Sequence, residues 1–118
     1  METLTIIANG APYGDERVWN ALRLALTAIS AAIDMNVNVF LIGDSVNAAK
    51  KGQKTPEGYY NLEKMLHNLV KQGAKVAACG TCLGARGLTK EDLVEGVEKG
   101  SMIGLAHWIK DSQKVLSF

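Results

Sequence analysis

Short apolar segments typical of β-strands alternate with longer segments that have one apolar face along this chain of 118 residues. The strand-like segments are rich in β-branched residues, and they cover residues 3–9, 37–42, 74–79, 93–100 and 114–118. Strands that alternate with helices over short connections pair in parallel and are covered on both faces. The sequence therefore predicts an α/β fold, a three-layer α/β/α sandwich with a five-stranded, mainly parallel sheet in one domain, residues 1–118.

The predicted helices have apolar residues at every third or fourth position. The first covers residues 18–33 and is expected to begin at the capping residue Asp15 and to end near Asp34. The second covers residues 62–70, and a last helix carries apolar residues from 102 to 109. A short helix is also expected to start at Thr89, with Asp92 three residues on. Residues 93–100 are ambiguous between a helix and a short strand, and Gly96 together with the short length favours the strand.

Composition excludes several classes of partner. The 13 basic and 12 acidic residues leave a net charge of +1, which gives no electrostatic reason to expect direct binding of nucleic acid. No apolar run approaches the roughly 20 residues that cross a bilayer, so we expect no membrane association. The first residues do not resemble a signal peptide, and we expect a cytoplasmic protein. Thiols stay reduced there, which makes a close cysteine pair more often reactive or metal-binding than a structural disulfide.

Three loops follow the carboxyl ends of predicted strands, at residues 9–14, 43–58 and 79–87. The loop at 43–58 is the longest, and long loops in compact domains are often functional. In parallel α/β sheets, sites form beyond the carboxyl ends of the strands. We therefore expect Asn9, Gly43 and Cys79 to lie at one edge of the sheet, where chemistry is placed in this fold class.

Neither a nucleotide cofactor nor a metal is expected. The first loop lacks a glycine-rich phosphate motif, and Asp15 and Glu16 would repel a phosphate at the following helix. One C-x-x-C pair supplies two ligands, but no second pair completes a tetrahedral zinc site. His67 and His107 are forty positions apart, and both fall off the apolar faces of their helices.

Cys79 and Cys82 form a C-x-x-C pair. Gly80 directly follows the first cysteine, and Arg86 follows the second after a short gap. The spacing of the pair is that of thioredoxin-like dithiols, in which a turn from a strand into a helix lowers the pKa of a thiol. Thioredoxin-like folds also carry a later cis-proline, whereas both prolines here precede the pair. Buried, inert packing residues are the third interpretation. The strand end and the nearby Arg86 favour a reactive thiol at Cys79 and leave the role of Cys82 open.

Four segments together resemble the DsrE/DsrF-like family of small sulfur-relay proteins, which includes the TusD-type subunits. They are "RVWNALRLALTA" at 17–28, "VFLIGDSV" at 39–46, "VAACGTCLGARGL" at 76–88 and "LAHWIKDSQKVLSF" at 105–118. The resemblance extends over essentially the whole chain. It implies a flavodoxin-like sandwich that assembles as a homotrimer or homohexamer and uses no cofactor.

The resemblance also implies a function in sulfur relay. In active members of the family, a cysteine after the third strand carries sulfur as a persulfide, and Cys79 occupies that position. Cys79 would then take sulfur from a donor protein and pass it to an acceptor protein, as a sulfurtransferase or persulfide carrier. Cys82 occurs in some relatives and is absent from the relay subunits, so a two-cysteine mechanism is not implied.

The residues around Cys79 suit a persulfide carrier, which needs an accessible thiolate, small neighbours and positive charge. Gly80 and Arg86 meet these needs, and Asn9 and Asp44 follow neighbouring strand ends as supporting residues. Two alternatives stay open, namely a thiol-disulfide oxidoreductase that uses both cysteines and a non-catalytic oligomeric binding protein. Self-association is expected through large apolar side chains that a small domain leaves exposed; the candidates are Trp19, Met102, Trp108 and Phe118.

Overall fold

Five strands form a single sheet in the computed structural model, which describes residues 1–118. Every neighbouring pair of strands is parallel, and the order across the sheet is β4-β3-β2-β1-β5. The strands are β1 (Thr3–Ala8), β2 (Asn36–Leu41), β3 (Lys75–Cys79), β4 (Val97–Gly100) and β5 (Lys114–Ser117). The predicted five-stranded parallel sheet is confirmed.

Helices cover both faces of this sheet. On one face, α1 (Arg17–Ile29) and α2 (Leu62–Lys71) pack against each other and against the three central strands. The other face is crossed by α4 (Met102–Asp111), which follows β4. Its Trp108 meets Phe40 of β2 edge to face, with ring centroids 6.2 Å apart. The predicted three-layer arrangement is confirmed.

The apolar core reaches the edge of the sheet at a short helix. Helix α3 (Gly80–Ala85) begins directly after β3. One connected cluster of 28 buried apolar residues fills the molecule, and it extends to Cys79 and Leu83. The cysteine pair therefore lies where the core reaches the surface. None of the helices combines the length and the apolar composition that crossing a membrane requires.

The first helix ends earlier than predicted. Helix α1 stops at Ile29 instead of near Asp34, because Ser30 adopts an extended conformation and its hydroxyl donates to the Thr27 carbonyl. Ile33 is consequently 55% exposed and does not belong to the apolar face of the helix. At the other end Glu16, not Asp15, is the N-cap residue, but the Asp15 carboxylate accepts the Arg17 N–H at 2.9 Å.

The prediction of a loop over all of residues 43–58 was wrong for the first half. Residues Gly43–Ala49 form a 3₁₀-helix whose small side chains are buried. The Ser45 hydroxyl donates to the Ala8 carbonyl at 2.6 Å, which fixes this segment over the end of β1. Residues 51–60 contain no helix or strand.

The connection from α3 to β4 also differs from the prediction. Its short helix is confirmed as a 3₁₀-helix at Lys90–Asp92, but β4 begins at Val97 and not at residue 93. Leu93 and Val94 are buried before the strand begins. Gly96 has φ +91°, and a Cβ there would collide with the Val70 side chain, so this position requires glycine.

Asn9 fastens the edge strand β5 to the sheet. Its backbone N–H donates to the Phe118 carbonyl at 3.1 Å. Its side-chain amide donates to the same carbonyl at 2.7 Å and to the Ser117 hydroxyl at 3.0 Å. The side chain of Asn9 therefore stabilises the end of β5 and the residue that follows it.

Replacement of Asn9 tests this structural role. We expect Asn9→Ala to lower the free energy of unfolding by about 1 kcal/mol, because two side-chain hydrogen bonds are lost. Hydrogen exchange should accelerate at the β5 amides, and the alkylation rate of Cys79 should not change. Asn20→Ala, at an exposed position of α1, is the matched control and should be neutral or slightly stabilising. A change in Cys79 reactivity without faster exchange in β5 would contradict this assignment.

Candidate thiol site at the carboxyl edge of the sheet

Cys79 is at once the last residue of β3 and the N-cap of α3. No loop separates the two elements, and Gly80 makes the abrupt turn next to β4. A Cβ at Gly80 would lie 2.8 Å from Cε of Lys99 and 3.2 Å from the Gly100 carbonyl oxygen. Gly80 therefore allows β4 to approach closely, and it fixes Cys79 at the rim of the sheet.

The thiol of Cys79 is held by donors from the first turn of α3. The Cys82 N–H donates to Cys79 Sγ with a donor–acceptor distance of 3.4 Å. Burial raises the pKa of the Cys79 thiol, but hydrogen bonds from the Cys82 thiol and from the N–H groups of Cys82 and Thr81 outweigh this effect. The positive charge of Arg86 acts in the same direction as these bonds. The net result is a Cys79 pKa below its ordinary value.

The pKa of Cys82 is shifted in the opposite direction. Its pKa is raised, first by its hydrogen bond to the Cys79 thiol and then by burial, and these effects outweigh the Gly43 N–H and the charge of Arg86. The Gly43 N–H donates to Cys82 Sγ at 3.2 Å from the end of β2. The two shifts therefore favour the negative charge on Cys79 and the proton on Cys82 when the pair loses one proton.

Arg86 connects α3 with the 3₁₀-helix that follows β2. Its Nε donates to Asp44 Oδ1 at 3.3 Å, and its Nη1 donates to the Cys82 carbonyl at 3.1 Å. The side chain of Asp44 is about half exposed, so the ion pair adds little stability. The ion pair instead positions Arg86, so that its positive charge is held beside both thiols.

The structure brings together five of the six residues that the sequence indicated. Cys79, Cys82, Gly80, Arg86 and Asp44 form one group, whereas the Asn9 side chain is directed to β5. The expectation of an accessible thiolate was wrong in degree, since Cys79 is only 8% exposed. The Gly43 N–H was missed as a sulfur ligand, because a backbone donor has no side-chain signature in a sequence. His67 and His107 are both exposed.

The pKa of Cys79 can be tested by exchanging the donor at position 82. In Cys82→Ser a hydroxyl replaces the thiol donor, so the pKa of Cys79 should stay below its ordinary value. In Cys82→Ala the donor is lost, and the pKa should rise. The measurement is the alkylation rate of Cys79 against pH, which reaches half its maximum at the pKa because only the thiolate reacts. The folded Cys82→Ser variant should therefore react at lower pH than the same chain unfolded. Equal midpoints for the two variants would show that the residue at position 82 does not stabilise the thiolate.

The similarity to known proteins extends over the whole chain. The family model described as DsrE/DsrF-like family matches residues 2–118. Protein YchN of Escherichia coli is 42% identical over 118 residues, which is 100% of both chains. Its crystal structure superposes on all of both chains with a TM-score of 0.93. An uncharacterized protein of Methanopyrus kandleri is 44% identical over 100% of this chain and 95% of its own.

One relative has a name that refers to sulfur. The intracellular sulfur oxidation protein DsrF of Allochromatium vinosum is 37% identical over 87 residues, which is 72% of this chain and 62% of that protein. The match to the family model and the whole-chain relatives lead to the same assignment. The protein belongs to the DsrE/DsrF-like family.

Proposed function

We propose that the protein carries sulfur as a persulfide on Cys79 and passes it to the thiol of an acceptor protein. The observation that carries this proposal is the position of the Cys79 thiol at the carboxyl edge of the sheet, where it accepts the Cys82 N–H at 3.4 Å. Donors from α3 and the charge of Arg86 lower its pKa, which favours the reactive thiolate. The kinship with DsrF adds the association with sulfur. No cofactor is needed, because the chemistry is thiol–persulfide exchange.

The transfer takes place in two displacements. The Cys79 thiolate attacks the outer sulfur of the donor's persulfide, a new S–S bond forms at Cys79, and the donor leaves as a thiolate. An acceptor thiolate then attacks the outer sulfur on Cys79, and Cys79 leaves as a thiolate. A lowered pKa at Cys79 favours both steps, since it supplies the attacking thiolate in the first and a good leaving group in the second.

Access to Cys79 shapes the choice of donor. With 8% of the residue exposed, a donor sulfur has to reach into a narrow opening. The donor therefore has to be a protein or small molecule that presents its persulfide at a protruding position.

A dithiol oxidoreductase is the second candidate, and the closeness of the two cysteines favours it, since the Cys82 N–H donates to Cys79 Sγ at 3.4 Å. The two functions differ in what they demand of Cys82. A carrier uses Cys79 alone, whereas an oxidoreductase needs Cys82 to resolve the mixed disulfide.

Serine variants of the two cysteines distinguish these functions. We expect Cys79→Ser to abolish persulfide loading, and Cys82→Ser to load one sulfur on Cys79. The measurement is intact mass after exposure to a persulfide donor, with removal of the added sulfur by a reductant as the control. Loading of Cys82 in the absence of Cys79 would reverse the assignment. Wild type that does not load but reduces a disulfide substrate rapidly would establish the oxidoreductase.

Self-association is the second part of the proposal, with further copies of this chain as the partner. Of the four apolar candidates from the sequence, only Met102 is largely exposed, whereas the two tryptophans and Phe118 are partly buried against the core. Other large apolar side chains lie exposed on the surface of α4 and β5. They are Met102, Ile103, Ile109, Val115 and Leu116, each at least 39% exposed. Exposed apolar side chains are candidates for protein–protein contact, and the family resemblance sets the expected assembly as a trimer or hexamer.

A charge placed on this α4–β5 surface tests the assembly. We expect Ile103→Glu to shift the protein to smaller species, because burial of a carboxylate in an apolar interface is unfavourable. Ile33→Glu is the matched control, since Ile33 is also exposed but follows α1, and it should leave the assembly intact. Sedimentation equilibrium gives the result, and a wild-type monomer at micromolar concentration would refute the proposal.

A further inference from the structure

The contact of Cys82 with Cys79 is a feature that a simple carrier does not use. We propose that Cys82 gives the site a second activity, in which it reduces the sulfur carried on Cys79 to hydrosulfide and closes a Cys79–Cys82 disulfide. This inference rests on the proposed function, because it starts from the Cys79 persulfide. The substrate is a sulfane sulfur, and the co-reactant that restores the thiols is a dithiol reductant.

The geometry of α3 places the two sulfur atoms for this reaction. Cys79 is the N-cap, and Cys82 is three residues further on, so their side chains share one side of the first turn. The Cys82 N–H donates to Cys79 Sγ at 3.4 Å, which places the two residues side by side in the first turn. Cys82 is also only partly buried. A disulfide between them would close within this one turn.

The Gly43 N–H supports the same step from the opposite side. It donates to Cys82 Sγ at 3.2 Å, so it can stabilise a negative charge on that sulfur when the thiol proton leaves. Gly43 has φ +65°, a left-handed conformation that favours glycine, and this conformation sets the position of the N–H at the end of β2. A cysteine that served only to fill space would need no donor directed at its sulfur.

The reaction balances without any further oxidant. The persulfide of Cys79 is an anion at its outer sulfur, and Cys82 transfers its thiol proton to that atom. The Cys82 thiolate then attacks the inner sulfur, Cys79 Sγ. The bond between inner and outer sulfur breaks, and its electron pair leaves with the outer sulfur as hydrosulfide. The outer sulfur is reduced by two electrons, and the two cysteines are oxidised to the disulfide.

Two fates then compete for the carried sulfur. An acceptor thiolate that attacks the outer sulfur receives it as a persulfide, whereas Cys82 attacking the inner sulfur releases it as hydrosulfide. A dithiol reductant has to reopen the disulfide before Cys79 can load again. The output of the site therefore depends on whether an acceptor is docked.

The experiment follows a single loading event without oxygen. Reduced wild type and Cys82→Ser are loaded with a low-molecular-weight persulfide whose outer sulfur is a heavy isotope, and excess donor is removed at once. Wild type should lose the added sulfur, lose two hydrogen atoms from its intact mass and release one equivalent of heavy hydrosulfide per chain. Cys82→Ser should keep the heavy persulfide and release none until a reductant is added. Cys82→Ala serves as a second control without a hydroxyl; it should load more slowly, because the pKa of its Cys79 is higher, but once loaded it should also keep the persulfide.

Three other outcomes would overturn the inference, and the last of them would also overturn the proposed function. If wild type and Cys82→Ser both hold the persulfide equally long, the inference is overturned and the carrier function stands. If Cys82→Ser releases hydrosulfide as fast as wild type, Cys82 is not the attacking group and the inference is overturned. If no variant that retains Cys79 loads, the proposed function fails, and the inference fails with it.

Discussion

The parallel pairing of β2 with β3 sets the position of the groups in the thiol site. In this register Phe40 lies opposite Ala77 and Leu41 opposite Ala78, so both strands end at the same edge. Gly43 then follows β2 close to the turn from β3 into α3, and its N–H reaches Cys82 Sγ. A slip by one residue would move the buried side chains of β3 to the opposite face. The packing of the sheet interior thus holds the sulfur ligands in place.

The same arrangement makes two similar thiols chemically unequal. Burial alone would raise the pKa of both, as it does for any acid that is neutral before it loses its proton. Donors from the turn that follows act on Cys79 and outweigh its burial, whereas its position beside Cys79 and its own burial raise the pKa of Cys82. The asymmetry comes from the position of Cys79 at the N-cap, since an N-cap side chain accepts N–H groups from the following turn. The order of residues along α3 therefore decides which sulfur attacks first.

The sequence predicted the elements whose apolar pattern is distinctive. The central strands are continuous apolar runs because helices cover both faces of the sheet, and the helices have a 3.6-residue repeat because one side of each must be buried. The segment 43–49 was misassigned as loop because its buried side chains are small, and a 3₁₀-helix lacks the 3.6-residue repeat. The end of α1 was missed because it depends on one hydroxyl, that of Ser30, and not on a change in hydrophobicity.

At the site, the sequence indicated side chains but not backbone groups or directions. Cys79, Cys82 and Arg86 were found because their spacing is visible, and Asp44 because it follows a strand. The Gly43 N–H carries no such signal. Asn9 was indicated by its place at the same edge, but its amide meets two acceptors on the adjacent β5 and therefore faces away from the thiols.

The position of the cysteines also differs from the usual place of a ligand in this fold class. In open parallel sheets a ligand binds at the switch point, where successive strands are added in opposite directions from a central strand. Here that point lies between β1 and β5. Hydrogen bonds from the Asn9 backbone and side chain to Phe118 join the two chain segments across it. The thiols lie instead beyond β2 and β3, between two short helices. A cofactor needs a wide crevice, but exchange of one sulfur atom needs only a narrow opening and donors that stabilise a thiolate. The closed switch point and the compact thiol site therefore both suit a protein whose reagent is its own cysteine.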